Sequence, residues 1–179
     1  MIITKKNNFF KILLGKIINK FLNFSNNLKW NSHYYSSLDK FAYIGSNVYL
    51  DNEIWFGGKK NITIKDNVFI GKGVIINAGR GGEIYLDKGC AIGANSTIIT
   101  WNLDNLKNKS LIRTNNKHIS KGVFIGKGVG IGYNVTINPG VKLEDGCEVA
   151  AGSVVTRDVK AFDIVAGNPA IVVGKRAEI

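Results

Sequence analysis

Histidine is scarce in this 179-residue chain: only His33 and His118 occur. His118 lies in the one long polar stretch that breaks an otherwise regular sequence, IITWNLDNLKNKSLIRTNNKHISKGVFIG, from Ile98 to Gly126. A loop imidazole suits general-base work, because near neutral pH it can take a proton from an attacking hydroxyl or amine. Asn102 and Asp104, in the same stretch, are candidates to fix the tautomer of that ring. Asp104 is also a candidate base in its own right, one that would need a raised pKa. Trp101 and Arg113 add an apolar face and a cation with which a ligand could be held. His33, in WNSHYYS, precedes the regular part of the chain and reads as a surface or packing residue.

The elements that must position these groups follow from an internal repeat. Units of six recur as IGSNVY, LDNEIW, IKDNVF, IGKGVI, LDKGCA, IGANST, IGKGVG, IGYNVT, INPGVK, LEDGCE and VAAGSV. Each opens on an aliphatic residue and carries a small or β-branched residue fifth, often with Gly, Asp or Asn between. That spacing suits a short strand with inward side chains, followed by a sharp turn where Gly or Asn accepts a positive φ. Three strands and three turns would close one triangular coil. The opening positions group as 44, 50, 56; 64, 70, 76; 86, 92, 98; 125, 131, 137; and 143, 149, 155. Within a group the step is six, and between groups it is 8, 10, 27 and 6, so every insertion falls at one corner. The expectation is an all-β, parallel β-helix of about five coils over residues 41–158, with a loop at 101–122 and a short C-terminal tail at 159–179. At about 4.8 Å per coil such a prism is roughly 20 to 25 Å long. ISKGVF, opening at Ile119, also fits a hexad, but the grouping above leaves whole coils without it.

Composition agrees with one mostly β domain: 21 Gly, 2 Pro and 45% hydrophobic residues. The net charge is +11, and residues 1–30 hold six Lys and no acid. Residues 1–40 read as a basic amphipathic segment. On a helix, Phe10, Leu13, Leu14, Ile17, Phe21 and Phe24 share one face, while Lys11, Lys16, Asn19 and Lys20 lie opposite. Such a helix either docks on protein or lies on an anionic membrane surface through residues 5–28, and it is too charged to span a bilayer. Nucleic acid is disfavoured, because no Arg-rich helix, zinc-finger spacing or aromatic-basic sheet motif is present. Cys90 and Cys147 both stand fifth in a hexad and read as free core thiols, which fits a cytoplasmic location, and the basic segment allows contact with the inner face of the membrane.

The hexads resemble those of the hexapeptide-repeat acyltransferases, and VAAGSVVTRDVKAFDIVAGNPAIVVGKR is similar to the tail of their acetyltransferase branch. The resemblance covers residues 41–179 and implies a left-handed coil, a homotrimer, and acetyl-coenzyme A held in the groove between subunits. It further implies O-acetylation of a sugar hydroxyl on a nucleotide- or lipid-linked sugar, as in surface-polysaccharide biosynthesis. Carried over position by position, Tyr133 in IGYN and Ala151 in VAAGS match places beside the pantetheine arm. Thr156 and Arg157 in VVTRD match a Thr-Lys pair near the nucleotide end. Relatives often have Arg after the NPA or VPC tripeptide; Ile171 stands there, which leaves Lys175 and Arg176 as phosphate contacts.

The resemblance also exposes a departure. Relatives carry a catalytic His just after the third strand, commonly as Thr-His-Asp or Gly-His-Pro, whereas this chain reads Thr100, Trp101, Asn102, Leu103, Asp104. Trp101 could pack on a sugar ring or wall off the thioester. Three readings stay open: His118 serves as the base, Asp104 does, or catalysis is lost and a trimer remains that binds coenzyme A or a partner. A zinc enzyme of the carbonic anhydrase type on the same prism needs three histidines and is excluded.

Overall fold

The structure is a computed structural model that describes residues 41–103 and 118–177. The basic N-terminal segment with its amphipathic pattern and His33, and the loop residues Asp104 and Arg113, lie outside the described residues. The strands run β1 (Tyr43–Ile44), β2 (Tyr49–Leu50), β3 (Trp55–Gly57), β4 (Ile62–Ile64), β5 (Phe69–Ile70), β6 (Ile75–Asn77), β7 (Ile84–Leu86), β8 (Ala91–Ile92) and β9 (Thr97–Ile99). They continue with β10 (Trp101–Leu103), β11 (His118–Ser120), β12 (Val123–Ile125), β13 (Gly130–Ile131), β14 (Thr136–Ile137), β15 (Lys142–Leu143), β16 (Glu148–Val149), β17 (Val154–Val155), β18 (Asp163–Gly167) and β19 (Ala170–Lys175).

Three parallel sheets form the faces of a prism, ordered β1-β4-β7-β12-β15 on the first face, β2-β5-β8-β13-β16-β18-β19 on the second and β3-β6-β9-β14-β17 on the third. The register aligns every hexad opening with the next. Ile44, Ile64, Leu86, Ile125 and Leu143 stack on the first face. Leu50, Ile70, Ile92, Ile131 and Val149 stack on the second. Phe56, Ile76, Ile98, Ile137 and Val155 stack on the third. Five complete coils result, and this architecture fits the left-handed parallel β-helix expected from the sequence.

Alternation along each short strand turns the opening residue and the residue two before it inward. The core is therefore a column of Ile and Val with Cys90 and Cys147, nearly all fully buried. Burial of each Ile is worth about 1.5–3 kcal/mol. Ser96 and Ser153 are polar exceptions at inward positions, and both are satisfied: the Ser96 hydroxyl donates to the Gly132 carbonyl at 2.9 Å and accepts from the Val135 N–H at 3.1 Å, and the Ser153 hydroxyl accepts the Gly167 N–H at 3.2 Å.

Two of the three corners are tight turns with one residue in the left-handed region. That position is Asn47, Asn67, Gly89, Gly128 and Gly146 at one corner, and Glu53, Gly73, Asn95, Asn134 and Gly152 at the next. Asn and Gly recur here because they tolerate positive φ at least cost. Lateral hydrogen bonds join successive turns, for example from the Asn95 N–H to the Lys72 carbonyl at 2.8 Å.

The prism does not end at Val155. Val159 bridges to Leu143, and Val165 pairs with Val149, so part of a sixth coil covers the core before β19 folds back antiparallel on β18. Residues 159–177 are thus a structured cap where the hexad pattern suggested only a tail. At the other end Phe41 meets Phe56 edge to face at 4.9 Å and closes the first coil.

Candidate active site

Every insertion leaves at the third corner, between the third and first faces. The first two are single 3-10 turns, Lys59–Asn61 and Gly79–Gly81. At the next level the chain forms an antiparallel ladder instead: Trp101 opposite Ser120, Asn102 opposite Ile119 and Leu103 opposite His118. Residues 101–103 and 118–120 are therefore not irregular loop, as the sequence suggested, and Ile119 opens no coil.

Thr100 anchors the root of this ladder. It is fully buried, and its hydroxyl lies 3.2 Å from the Asn77 carbonyl and 3.3 Å from the Gly79 carbonyl. Its own carbonyl accepts the Lys121 N–H at 2.7 Å and the Ser120 hydroxyl at 3.3 Å. A β-branched polar residue here ties the 79–81 turn to both strands of the hairpin at once.

The ladder has two faces, because adjacent side chains on a strand point to opposite sides. One face carries Trp101, Leu103, His118 and Ser120, each half-buried. Trp101 and His118 meet there edge to face, with 5.3 Å between ring centroids and 82° between planes. The Arg80 guanidinium sits over the indole at 4.9 Å. Arg80 itself adopts φ 58°, a left-handed conformation that a non-glycine residue takes up only where its surroundings hold it. The His118 Nδ1 is buried and has no hydrogen-bond partner among the described residues.

The other face carries Asn102 and Ile119. These two, with Leu103, Lys121, Asn138, Pro139 and Thr156, line a cleft of ≈ 440 Å³ that opens at the third corner. Asn102 and His118 therefore belong to opposite faces. The Asn102 Oδ1 accepts the Leu103 N–H at 2.8 Å, so the expected contact that would fix the His118 tautomer is not made. The ladder register is the reason: it places Leu103, not Asn102, beside His118.

The residues expected around the cofactor are distributed over the prism. Tyr133, 63% exposed, and Ala151 stack at the second corner, where the Gly152 N–H donates to the Tyr133 carbonyl at 2.8 Å. Thr156 and Arg157 follow β17 at the third corner, with Thr156 in the cleft and Arg157 exposed. Lys175 and Arg176 are engaged by the chain itself. Lys175 lies 3.3 Å from the nearly buried Asp163 carboxylate. Arg176 donates to the Gly146 carbonyl at 3.1 Å and the Gly128 carbonyl at 3.4 Å, and lies 3.8 Å from Glu148. Both cations thus face the cap and the first corner, with the Lys175 side chain still 73% exposed. Tyr133 and Arg157 of one prism stand at different corners, the second and the third.

Sequence reasoning passed over the cleft residues Lys121, Asn138 and Pro139. Asn138 and Pro139 were hidden in a hexad, INPGVK, whose pattern reports only inward positions. Lys121 ended a loop with no periodicity to place it.

Residues 118–157 match the family described as bacterial transferase hexapeptide (six repeats). The match is confined to that stretch of the chain. Among solved structures it is similar to a maltose O-acetyltransferase from Clostridium difficile 630, at 26% identity over 78% of this chain and 72% of the other, with a TM-score of 0.70. A hexapeptide-repeat containing acetyltransferase from Vibrio cholerae superposes with a TM-score of 0.72, at 26% identity over 83% of this chain and 82% of that one. A galactoside acetyltransferase in complex with coenzyme A matches at 27% identity over 75% of this chain and 65% of its own, with a TM-score of 0.62. No curated protein matches. The hexapeptide repeats that match run from β11 to β17, so they include Lys121, Tyr133, Ala151 and Thr156.

Proposed function

We propose that this protein transfers an acetyl group from acetyl-coenzyme A to a sugar hydroxyl in surface-polysaccharide biosynthesis. The observation that carries the reading is the cleft at the corner from which the β10–β11 hairpin leaves, with Thr156 in its wall and Arg157 next to it. The resemblance of the two structures named for maltose and galactoside acetylation supports the substrate class. Tyr133 and Ala151 would flank the pantetheine arm, and Thr156 with Arg157 would hold the nucleotide end. Because these pairs occupy different corners of one prism, the reading uses two subunits of a homotrimer for each site. Exposed apolar side chains on the prism faces, such as Trp55 at 51%, Tyr49 at 55% and Phe69 at 42%, favour such an assembly.

The bound thioester supplies an activated acetyl group. What the chain must supply is a base for the hydroxyl proton and donors that hold the acceptor. His118 is the base in this reading, presented from the outer hairpin face to a second subunit, so that the acceptor it serves sits in the neighbouring subunit's cleft. Its imidazole takes the hydroxyl proton as the ester bond forms and returns it to the departing thiolate. Trp101, packed on its edge, fixes the ring plane.

A second reading rests on the same hairpin: with Trp101 where relatives have His, and Asn102 turned away from His118, the chain is a trimer that binds coenzyme A without turnover. Thioester consumption with a panel of nucleotide-linked and lipid-linked sugars separates the two. Release of free thiol that depends on acceptor supports transfer; coenzyme A binding with no release for any acceptor supports the second reading. As to location, no helix among the described residues is long and apolar enough to cross a membrane. The reading places the protein in the cytoplasm, with the basic N-terminal segment available for the inner membrane face.

A further inference from the structure

Among the described residues, the cleft beneath the hairpin is lined by hydrogen-bond donors and by no carboxylate. Lys121 has no ion pair among the described residues, although acidic side chains elsewhere on the prism pair readily with lysines. Its stem is held in place by the neighbouring turn. A Cβ on Gly140 would come within 3.0 Å of the Lys121 Cδ and 3.2 Å of its Cβ, so the bare glycine backbone is what lets the stem lie flat along the cleft wall. Gly140 has φ 85°, which a side chain would in any case strain.

The other polar groups that line the cleft surround this exposed lysine. Asn102 has its carbonyl oxygen committed to the Leu103 N–H, which leaves its NH₂ as the free end. Asn138 adds a second amide, while Ile119 and Pro139 supply apolar surface on which a sugar ring can lie. A cation and two carboxamides over an apolar floor match a ligand that is hydroxylated and negatively charged.

We propose that this cleft selects an acceptor with an anionic group, either a carboxylate on the sugar ring or a phosphate attached to it, with Lys121 as the specificity-determining residue. The inference rests on the transferase reading for the word acceptor, but its test does not require turnover.

Binding of methyl glucuronide, glucose 1-phosphate and methyl glucoside to the full chain is measured by saturation-transfer NMR. The unmodified protein is expected to prefer at least one anionic ligand over the neutral glucoside by about tenfold or more, the scale of one charge-assisted hydrogen bond. Preference for the glucuronide identifies the carboxylate, and preference for the sugar phosphate identifies the phosphate. Lys121→Gln should abolish the preference, and Lys121→Arg should retain most of it. Calorimetry with coenzyme A runs alongside. The proposal is overturned if none of the three ligands binds, if all bind equally, if the preference survives in Lys121→Gln, or if that variant weakens coenzyme A by a similar factor. The last outcome would assign the anion to the donor's phosphates. A preference without any thioester turnover would sink the transferase reading alone, and turnover without a preference would sink this proposal alone.

Discussion

The Trp101 indole and the His118 imidazole pack edge to face across the two strands of one hairpin, 5.3 Å apart. This relationship makes the loop's only described histidine part of a built cluster with Arg80 above the indole, and it sets the first prediction. His118→Ala should lower turnover by roughly 10²-fold, the scale for losing a positioned base, and leave coenzyme A affinity unchanged. Trp101→Phe keeps an aromatic edge and should retain most activity, while Trp101→Ala should shift it in the direction of His118→Ala. Full activity in both alanine variants would reduce the pair to packing and make Asp104→Asn the next test.

Arg157 has no ion pair among the described residues, whereas Lys175 and Arg176 lie against Asp163, Gly128, Gly146 and Glu148, and the proposed reading gives Arg157 the nucleotide end. Arg157→Ala should therefore weaken acetyl-coenzyme A more than dephospho-coenzyme A, as measured by calorimetry, if the guanidinium meets the 3′-phosphate. Equal losses for the two ligands would place Arg157 elsewhere. Arg176→Ala should act differently, by lowering stability through two uncovered carbonyls.

Cys90 and Cys147 are fully buried free thiols, and burial pushes each up to about 12. The thiolate is the reactive form, so Ellman's reagent should leave both untouched in the folded protein at pH 8. Two equivalents should react after unfolding. Reaction of the native protein would mean that the core column opens. The same inertness means that a thiol assay for released coenzyme A reads only the product.

The coils were legible in the sequence because the period of six coincides with one side of the prism, so that Ile64, Ile70 and Ile76 announce both an inward direction and a place in a stack. Most of the left-handed turns were legible as well, since Asn67, Asn95 and Asn134 fill a position otherwise held by Gly, with Glu53 the departure that the pattern did not announce. The hairpin was not. Trp101–Leu103 and His118–Ser120 are separated by the residues 104–117, and their register arises from Thr100 bonding to Ser120 and Lys121, a relationship between chain segments with no local signature. The cleft was hidden for a related reason, because its residues point outward from strands and turns that the repeat identifies only by what points inward.

Acid should loosen the prism at its ends first. The Ser46 backbone N–H, with Lys88 and the Ser46 hydroxyl, holds the Asp66 carboxyl below its ordinary 3.8. The Ala161 N–H, against partial desolvation and with help from Lys160, holds Glu144 below its ordinary 4.5. A carboxylate whose folded pKa is depressed contributes stability in full above its unfolded pKa and loses it as pH falls through the folded value. Urea midpoints should thus be insensitive to these groups above about pH 5 and decline below about pH 4. Glu144→Gln should flatten part of that decline, and an unchanged slope would show that Glu144 does not anchor the cap.

Gly93 and Gly132 test how tightly the coils close on either side of the long insertion. Gly93 belongs to the third coil and Gly132 to the fourth, and a Cβ on Gly93 would lie 2.6 Å from the Gly132 carbonyl carbon and oxygen. The neighbour is backbone, which has no rotamer to yield, and Gly93 needs no left-handed φ, so the cost of Gly93→Ala is steric. Gly128 is the complementary case: its φ is 65°, and a Cβ there would meet nothing within 4 Å. Gly128→Ala should cost about 1–2 kcal/mol from conformation alone. Gly93→Ala should cost about 3 kcal/mol or more, since the coils must part to admit a methyl group. The comparison is made by urea unfolding of the two variants under identical conditions. If Gly93→Ala is no worse than Gly128→Ala, the β8–β13 contact is looser than the hydrogen bond from the Gly93 N–H to the Ile131 carbonyl at 2.7 Å implies. The larger loss would instead establish that 27 residues separate Ile98 from Ile125 in sequence without separating the coils they open.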